Sequence, residues 1–256
     1  MGGRCYPETY ARLHVSVWSN TNLVFSLIDK SMTTPFFLQR LVLIFSVLIA
    51  QAAWSAPLIP PPPELAAKSW VLMDAASGNV LVDHQGEMHL PPASLTKLMT
   101  AYIATQEIKH GRLHENDMVT ISEKAWRTGG SKMFVKVGNK VSVSDLFHGI
   151  IIQSGNDASV ALAEHIAGDE DAFAAMMNAE AKRLGMKDTH FMDATGLPNP
   201  GHYSSARDMA TLARAIIYAD PAHYALYAQK DFTWNGIHQP NRNLLLWRDD
   251  GVDGLK

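Results

Sequence analysis

A serine and a lysine three residues apart, Ser94 and Lys97, are the residues of this chain whose types and spacing best suit catalysis. Near the start of a helix, side chains at this spacing lie on one face. A serine hydroxyl is a weak nucleophile until a base removes its proton, and a neutral lysine amine can be that base. Free lysine has a pKa near ~10.4, so this role requires burial or the positive helix end to lower the pKa. A capping serine followed by a surface lysine is the alternative, and residues elsewhere must decide.

The tripeptide Ser-Gly-Asn occurs twice, as Ser77-Gly78-Asn79 and as Ser154-Gly155-Asn156. The first copy lies between two alternating apolar segments, where a tight turn explains it. The second lies between two apolar-faced helices, where a short loop can aim both polar side chains into a cleft. There the serine can pass a proton to a leaving amine, and the asparagine can hold a substrate amide and the lysine. An ordinary turn between helices is the alternative.

Composition limits the function classes. The chain has 256 residues, a net charge of −3 and one cysteine, Cys5, and its sequence pI is about 6.4. This length allows one large domain or two small ones, and the charge argues against a nucleic-acid-binding protein. With Cys5 alone there is no disulfide framework and no zinc–thiolate site. The histidines are scattered, so we expect neither a metal nor another cofactor.

The first 68 residues divide into three segments that we expect to precede the folded domain. Residues 1–31 have no sustained periodicity and are interpreted as a non-native or disordered extension. Residues 32–56 combine a basic residue, a short apolar run and small residues at the exit, which predicts a secretory signal peptide cleaved near Ala56. An uncleaved anchor is the alternative, although the run is shorter than the ~20 residues that a membrane span needs. Residues 57–68 are proline-rich and predict an extended linker.

Residues 69–256 predict an α/β protein of the α+β type, in which helices pack on an antiparallel sheet and a helical block is inserted between its strands. A hairpin with a Gly/Asn turn is expected at Trp70–Asp74 and Val80–Asp83. The helix after Ser94 has apolar residues on one face and ends near Gly111. Further helices are expected after a cap at Ser144, from about Ala158 to Gly168, over Asp171–Leu184 and after Ser204, with strand-like and loop segments over Phe232–Lys256.

Taken together, the motifs resemble those of the penicilloyl serine transferases, whose three elements are Ser-x-x-Lys, Ser-x-Asn and Lys-Thr-Gly. Ser94-Leu-Thr-Lys97 and Ser154-Gly-Asn156 match the first two in the family's order. More specifically, the chain resembles D-alanyl-D-alanine carboxypeptidases of the low-molecular-mass penicillin-binding proteins from about Trp70 to Lys256. The resemblance rests on Pro-Ala-Ser-Leu-Thr-Lys-Leu-Met-Thr, Gln-Ser-Gly-Asn-Asp-Ala, Tyr-Ser-Ser-Ala-Arg-Asp-Met-Ala, Asn-Arg-Asn-Leu-Leu-Leu-Trp and Val-Asp-Gly-Leu-Lys.

The resemblance implies a serine β-lactamase/transpeptidase-like fold and a role for each site residue. Ser94 would attack the carbonyl between two D-alanines of a peptidoglycan stem peptide, with Lys97 as its base. Ser154 would pass a proton to the leaving group, and Asn156 would position the substrate. Lys256 would bind the terminal carboxylate as the lysine of Lys-Thr-Gly. β-Lactams would be covalent inhibitors.

The resemblance also implies a location and a departure. The protein would be exported to the periplasm and associate with the cytoplasmic membrane through the family's C-terminal region. Because the sequence ends at Lys256, the threonine and glycine of the third motif and the strand that follows are not part of it. We therefore expect a C-terminally truncated domain that is inactive as written, since losing one oxyanion-hole donor typically costs ~10²–10³ in rate.

Three other functions share this machinery. A class A β-lactamase needs a glutamate on a Glu-x-x-x-Asn loop, but Glu164, Glu170 and Glu180 are not followed by asparagine four residues later. A D,D-endopeptidase would use the same residues on crosslinks. A penicillin sensor with slow turnover would be acylated without steady-state release.

Overall fold

The computed structural model describes residues 61–256, of which Pro62–Lys256 form one compact unit. The predictions for residues 1–31 and 32–56, and for the beginning of the linker, lie outside the described residues. No helix within 61–256 has the length and apolar character required to cross a membrane.

Helices make up most of the regular structure in this part of the chain. The α-helices are α1 Thr96–Lys109, α2 Glu123–Arg127, α3 Val143–Ile151, α4 Asn156–Ala167, α5 Glu170–Leu184, α6 Ala206–Ala219 and α7 Pro221–Ala225. The strands are β1 Trp70–Met73, β2 Val80–His84, β3 Met118–Thr120, β4 Lys140–Ser142, β5 Asp231–Trp234 and β6 Ile237–Pro240. Short 3₁₀ turns lie at Ala93–Leu95, Leu226–Ala228 and Leu244–Trp247.

The strands of residues 61–256 pair as three separate antiparallel hairpins, β1–β2, β3–β4 and β5–β6. The first is the hairpin predicted from the sequence, with Trp70 opposite His84 and Leu72 opposite Val82. Its loop contains Gly78 at φ +77°, a backbone conformation that glycine adopts without a steric penalty. Helices and small antiparallel sheets together confirm the α+β class.

Helix α1 lies at the centre of the core. The sequence predicts one apolar face, but every residue from Thr96 to Thr105 is buried, because α1 packs against α3, α4, α5 and α6. Its polar side chains therefore need partners inside the protein. Thr100 Oγ1, for example, donates to the carbonyl of Ala194 at 2.8 Å. A helix enclosed in this way fixes its own first turn rigidly.

Two helix starts differ from the sequence prediction. Helix α3 is capped by Ser142, whose Oγ accepts from the Asp145 amide at 3.0 Å, so the prediction of Ser144 as the cap is wrong. Strand β4 ends at Ser142 and leads directly into α3, which leaves Ser144 inside the helix. Helix α4 begins at Asn156, two residues before the predicted start. Asn156 is thereby fixed in the first turn of a buried helix.

Candidate active site

Ser94 lies in the 3₁₀ turn that leads into α1. It is exposed to solvent, and the turn is closed by a bond from the Leu95 amide to the Pro92 carbonyl at 3.1 Å. The preceding residue, Ala93, has φ +47°. A non-glycine residue in this region costs about 1–2 kcal/mol, so its surroundings must hold it there. The hydroxyl is thus presented to solvent from a constrained turn on a buried helix.

Lys97 is buried directly beneath Ser94. Only 1% of its surface is exposed, and its Nζ lies 3.5 Å from Ser94 Oγ and 2.6 Å from the carbonyl oxygen of Thr195. Burial lowers the pKa of Lys97 to about 8, the negative charge of Asp193 opposes this shift, and the positive charge of Arg242 adds to it. A large fraction of the amine is therefore neutral slightly above neutral pH, as a base for Ser94 requires.

Ser154 and Asn156 lie where α3 passes into α4. Ser154 is 4% exposed and has φ +64°, and within residues 61–256 its Oγ has no hydrogen-bond partner. The Nδ2 atom of Asn156 donates to the Gly129 carbonyl at 2.6 Å, and its backbone amide donates to the Ser131 carbonyl at 2.7 Å. A buried hydroxyl without a partner is costly in a folded protein, and it is free to bond a bound substrate.

Lys256 is folded back onto the end of α3. Its Nζ donates to the carbonyls of Ile150 and Ile151 at 2.8 and 3.1 Å. Burial lowers the pKa of Lys256, and the positive charges of Lys97 and Arg242 lower it further. Such charge effects require the three cationic groups to lie close together. The structure therefore brings Lys256 to the same region as Lys97.

Arg242 is a further residue of this cleft to which the sequence reasoning gave no role. Its Nη1 donates to Ser131 Oγ at 2.9 Å, and Ser131 in turn binds the amide of Asn156. Arg242 belongs to the Asn-Arg-Asn segment that supported the resemblance, which was the available signal. Its positive charge acts on both Lys97 and Lys256 and lowers the pKa of each.

The loop that begins at Asp193 is a second part of the site with no role predicted from the sequence. Burial alone would raise the pKa of Asp193, but hydrogen bonds from His202, Thr195 and Gly196 hold it well below its usual range. This loop supplies the carbonyl that accepts from Lys97. No local pattern distinguished Asp193 from other acidic loop residues, because the contacts that bring its loop to the site are long-range: Thr195 reaches Lys97 across 98 positions and His202 reaches Thr96 across 106.

Glu170 and Glu180 are already engaged in structural contacts. Glu170 binds Lys124 at 2.8 Å and accepts from the Ala194 amide at 3.2 Å, and Glu180 pairs with Arg183 at 2.6 Å. Within residues 61–256, no group of three or more His, Cys, Asp or Glu side chains could hold a metal ion.

A cavity of about 610 Å³ runs along β1 and α6. Pro92, Leu95 and Lys256 contribute to its lining, but Ser94, Lys97, Ser154 and Asn156 do not. This cavity therefore does not mark the position of the Ser–Lys pair.

Known proteins give a consistent comparison. A family model described as D-alanyl-D-alanine carboxypeptidase matches residues 56–256. The D-alanyl-D-alanine carboxypeptidases DacC and DacD of Escherichia coli strain K12 are 47% and 48% identical to the chain, each over 83% of it. The aligned regions cover 55% and 57% of those two proteins, so the chain spans little more than half the length of these relatives.

Solved structures agree on the fold. The crystal structure of penicillin-binding protein 6B from Escherichia coli matches with a TM-score of 0.75 and 49% identity, covering 79% of this chain and 66% of that one. Penicillin-binding protein D2 of Listeria monocytogenes, in its ampicillin-bound form, matches with a TM-score of 0.69 and 27% identity, covering 77% of this chain and 80% of that one.

Proposed function

The chain belongs to the D-alanyl-D-alanine carboxypeptidase family, and we propose that the protein removes the terminal D-alanine from peptidoglycan stem peptides. The observation that carries the proposal is the Ser94–Lys97 pair: an exposed hydroxyl 3.5 Å from a buried amine whose pKa is lowered to about 8. Curated relatives named D-alanyl-D-alanine carboxypeptidases support the choice of reaction. The periplasmic face of the cytoplasmic membrane, where such a substrate occurs, is the proposed place of action.

The reaction proceeds through an acyl-enzyme. Ser94 Oγ forms a bond to the carbonyl carbon between the two D-alanines, and its proton passes to Lys97 Nζ. The carbon–nitrogen bond then breaks, and the departing D-alanine amine takes up a proton through Ser154. Water hydrolyses the ester and restores the Ser94 hydroxyl. The proton acceptor Lys97 and the proton relay Ser154 are both buried. Little reorganisation of solvent is therefore needed during the two proton transfers.

Asn156 and the cations hold the substrate. The free oxygen of the Asn156 amide is available to a substrate N–H, because its nitrogen is committed to Gly129. The terminal carboxylate of the stem peptide binds Lys256, and a bound anion would raise the lowered pKa of this lysine. β-Lactams, which carry a carboxylate and a reactive amide, acylate Ser94 in the same way. The ampicillin-bound form of the Listeria protein supports this assignment.

Mass spectrometry of the protein after reaction with penicillin tests the proposal, in a form that carries the complete Lys-Thr-Gly motif, and the acylation assays below use the same form. The adduct is expected on the peptide that contains Ser94, and Ser94→Ala should abolish both the adduct and D-alanine release from diacetyl-Lys-D-Ala-D-Ala. Ser122→Ala is the matched control, because that serine only caps α2. An adduct on another serine, or an acylated protein that releases no D-alanine, would contradict the proposed carboxypeptidase.

A further inference from the structure

The loop from Asp193 to His202 is bound to the nucleophile turn by contacts that the proposed reaction does not explain. Asp193 Oδ1 accepts three bonds of 2.7 Å, from the Thr195 amide, the Thr195 hydroxyl and the Gly196 amide. These bonds fold the loop into a tight turn. The turn directs the Thr195 carbonyl at Lys97 Nζ, 2.6 Å away. The Asp193 carboxylate thus fixes the position of the Thr195 carbonyl, which accepts a hydrogen bond from Lys97.

His202 joins this turn to helix α1. One ring nitrogen, Nδ1, lies 3.3 Å from Asp193 Oδ2, and the other, Nε2, lies 2.9 Å from Thr96 Oγ1. A carboxylate can only accept, so the bond to Asp193 requires a proton on Nδ1, and the other nitrogen, Nε2, bonds the threonine hydroxyl. Both side chains of this second contact are almost fully buried: 2% of His202 and none of Thr96 is exposed. Thr96 is the immediate neighbour of Lys97.

Gly196 completes the contact with the nucleophile turn. Its φ is +82°, and a Cβ atom there would lie 1.8 Å from the carbonyl oxygen of Ala93, so a larger residue would force the two backbones apart. Ala93 is the strained residue that precedes Ser94. The loop therefore touches the Ser94 turn on one side and the Lys97 amine on the other.

We propose that Asp193 and His202 are positioning residues, which with Thr195 and Gly196 form a clamp that holds the Lys97 amine against Ser94. The inference rests on the proposed function, since it assigns Lys97 as the base. The clamp acts through Lys97 and contacts no substrate. The Thr195 carbonyl is the fixed acceptor of Lys97 Nζ, and Ser94 Oγ is its other partner within reach.

The clamp also places a negative charge among positive ones. The charged groups that face Lys97 are Asp193 from the loop, Arg242 from the segment after β6, and Lys256 beside the end of α3. His202 faces Asp193 rather than Lys97. Of these groups only Asp193 favours the protonated amine, so removing its charge must lower the pKa of Lys97 further.

The test measures the rate constant for acylation by a fluorescent penicillin from about pH 6 to about pH 10, together with the melting temperature. Asp193→Asn should move the acidic limb of the profile down by about one pH unit, and lower the plateau about tenfold or more because the carbonyl is misplaced. Thr195→Val is the matched control: it removes a bond to the same carboxylate oxygen but keeps the charge, so its limb should stay in place.

His202 provides a second variant that retains the Asp193 charge. His202→Leu removes both contacts and should lower the plateau about tenfold or more without moving the limb. His202→Asn keeps a donor close to the position of Nδ1 and should restore part of the rate. His190→Leu, an exposed neighbour outside the clamp, should match the wild type.

Two results would overturn the clamp: a folded Asp193→Asn protein whose limb stays at the wild-type pH, or a His202→Leu protein with the wild-type rate at every pH. If Asp193→Asn does not fold, the comparison of His202→Leu with His202→Asn decides, and equal plateaus reject the inference. Absence of wild-type acylation in the same assay would reject the proposed function itself, and the clamp with it.

Discussion

The two Ser-Gly-Asn copies have the same residues in the same order and entirely different surroundings. Ser77 and Asn79 are exposed in the β1–β2 loop, where Ser77 Oγ donates to Asp74 Oδ1 at 2.5 Å. Ser154 and Asn156 are 4% exposed, and within the part of the chain that the structure describes Ser154 Oγ has no partner. In the first copy the serine hydroxyl bonds a neighbouring side chain, whereas in the second the buried serine hydroxyl is available to a bound substrate.

The backbone conformation also differs between the two copies. In the hairpin the glycine takes the left-handed conformation, with Gly78 at φ +77°, whereas between α3 and α4 the serine takes it, with Ser154 at φ +64°. A serine in this region costs about 1–2 kcal/mol that a glycine avoids. Strain of this kind persists where the surrounding fold imposes it, and it is typical of functional sites. A three-residue pattern therefore carries little meaning until its backbone and burial are known.

The largest expected difference between the copies is catalytic. Ser154→Ala should slow acylation by penicillin about 10²-fold or more, because a group that transfers protons in the reaction is lost. Ser77→Ala should leave the rate within about twofold. Stopped-flow acylation of the two variants measures the contrast. A similar rate for both would mean that burial at Ser154 serves the fold alone.

The pH dependence of acylation also separates the two copies, because the second copy belongs to the same cleft as Lys97 and the first does not. The neutral form of Lys97 is the active base, and its pKa is about 8. Below this value the amine is protonated, so the acylation rate should fall about tenfold for each pH unit, and above it the rate should level off.

Lys97→Met should remove this limb along with most of the rate. Ser77→Ala, the matched change in the hairpin copy, should leave the profile unchanged. A wild-type profile that is flat between about pH 6 and about pH 9 would contradict Lys97 as the base.

Next in size is the stability contrast of the asparagines. Asn156→Ala removes the bond from Nδ2 to the Gly129 carbonyl and should cost about 1–3 kcal/mol in the free energy of unfolding. Asn79→Ala should change it by about 0.5 kcal/mol or less, because Asn79 is exposed and its side chain makes no hydrogen bond within residues 61–256. Urea unfolding of both variants decides between them. Equal effects would show that burial does not separate the two asparagines.

The smallest expected effect concerns the hairpin glycine. Gly78→Ala places a Cβ at φ +77° and 3.3 Å from Arg214 Nε, which should lower the free energy of unfolding by about 1–2 kcal/mol. Acylation should be unaffected. Gly236→Ala is the control for backbone strain alone, because Gly236 has φ +78° but no atom within 4 Å of the added Cβ. A loss of acylation in Gly78→Ala would show that the hairpin copy contributes to the site after all.

Several features followed from the sequence because they are local. Ser94 and Lys97 lie on one face since the helical backbone places residues three apart side by side, and the 3.5 Å separation agrees with that prediction. The β1–β2 hairpin followed from two alternating segments around Ser-Gly-Asn. The family and the α+β class are likewise confirmed, because long ordered motifs carry them. The roles of the five site residues stay predictions: Ser94, Lys97, Ser154, Asn156 and Lys256.

Tertiary structure alone decided what surrounds these residues. Ser142 replaced Ser144 as a cap because β4 leads directly into α3. Residues Thr96 to Thr105 of α1 are buried on every face because four helices pack around them. The Thr195 carbonyl reaches Lys97 across 98 positions of sequence, and His202 reaches Thr96 across 106. Spacing along a chain fixes only which neighbours share a face. Burial, pKa and the choice between two identical tripeptides depend on which distant segments fold against them, and no local pattern encodes that.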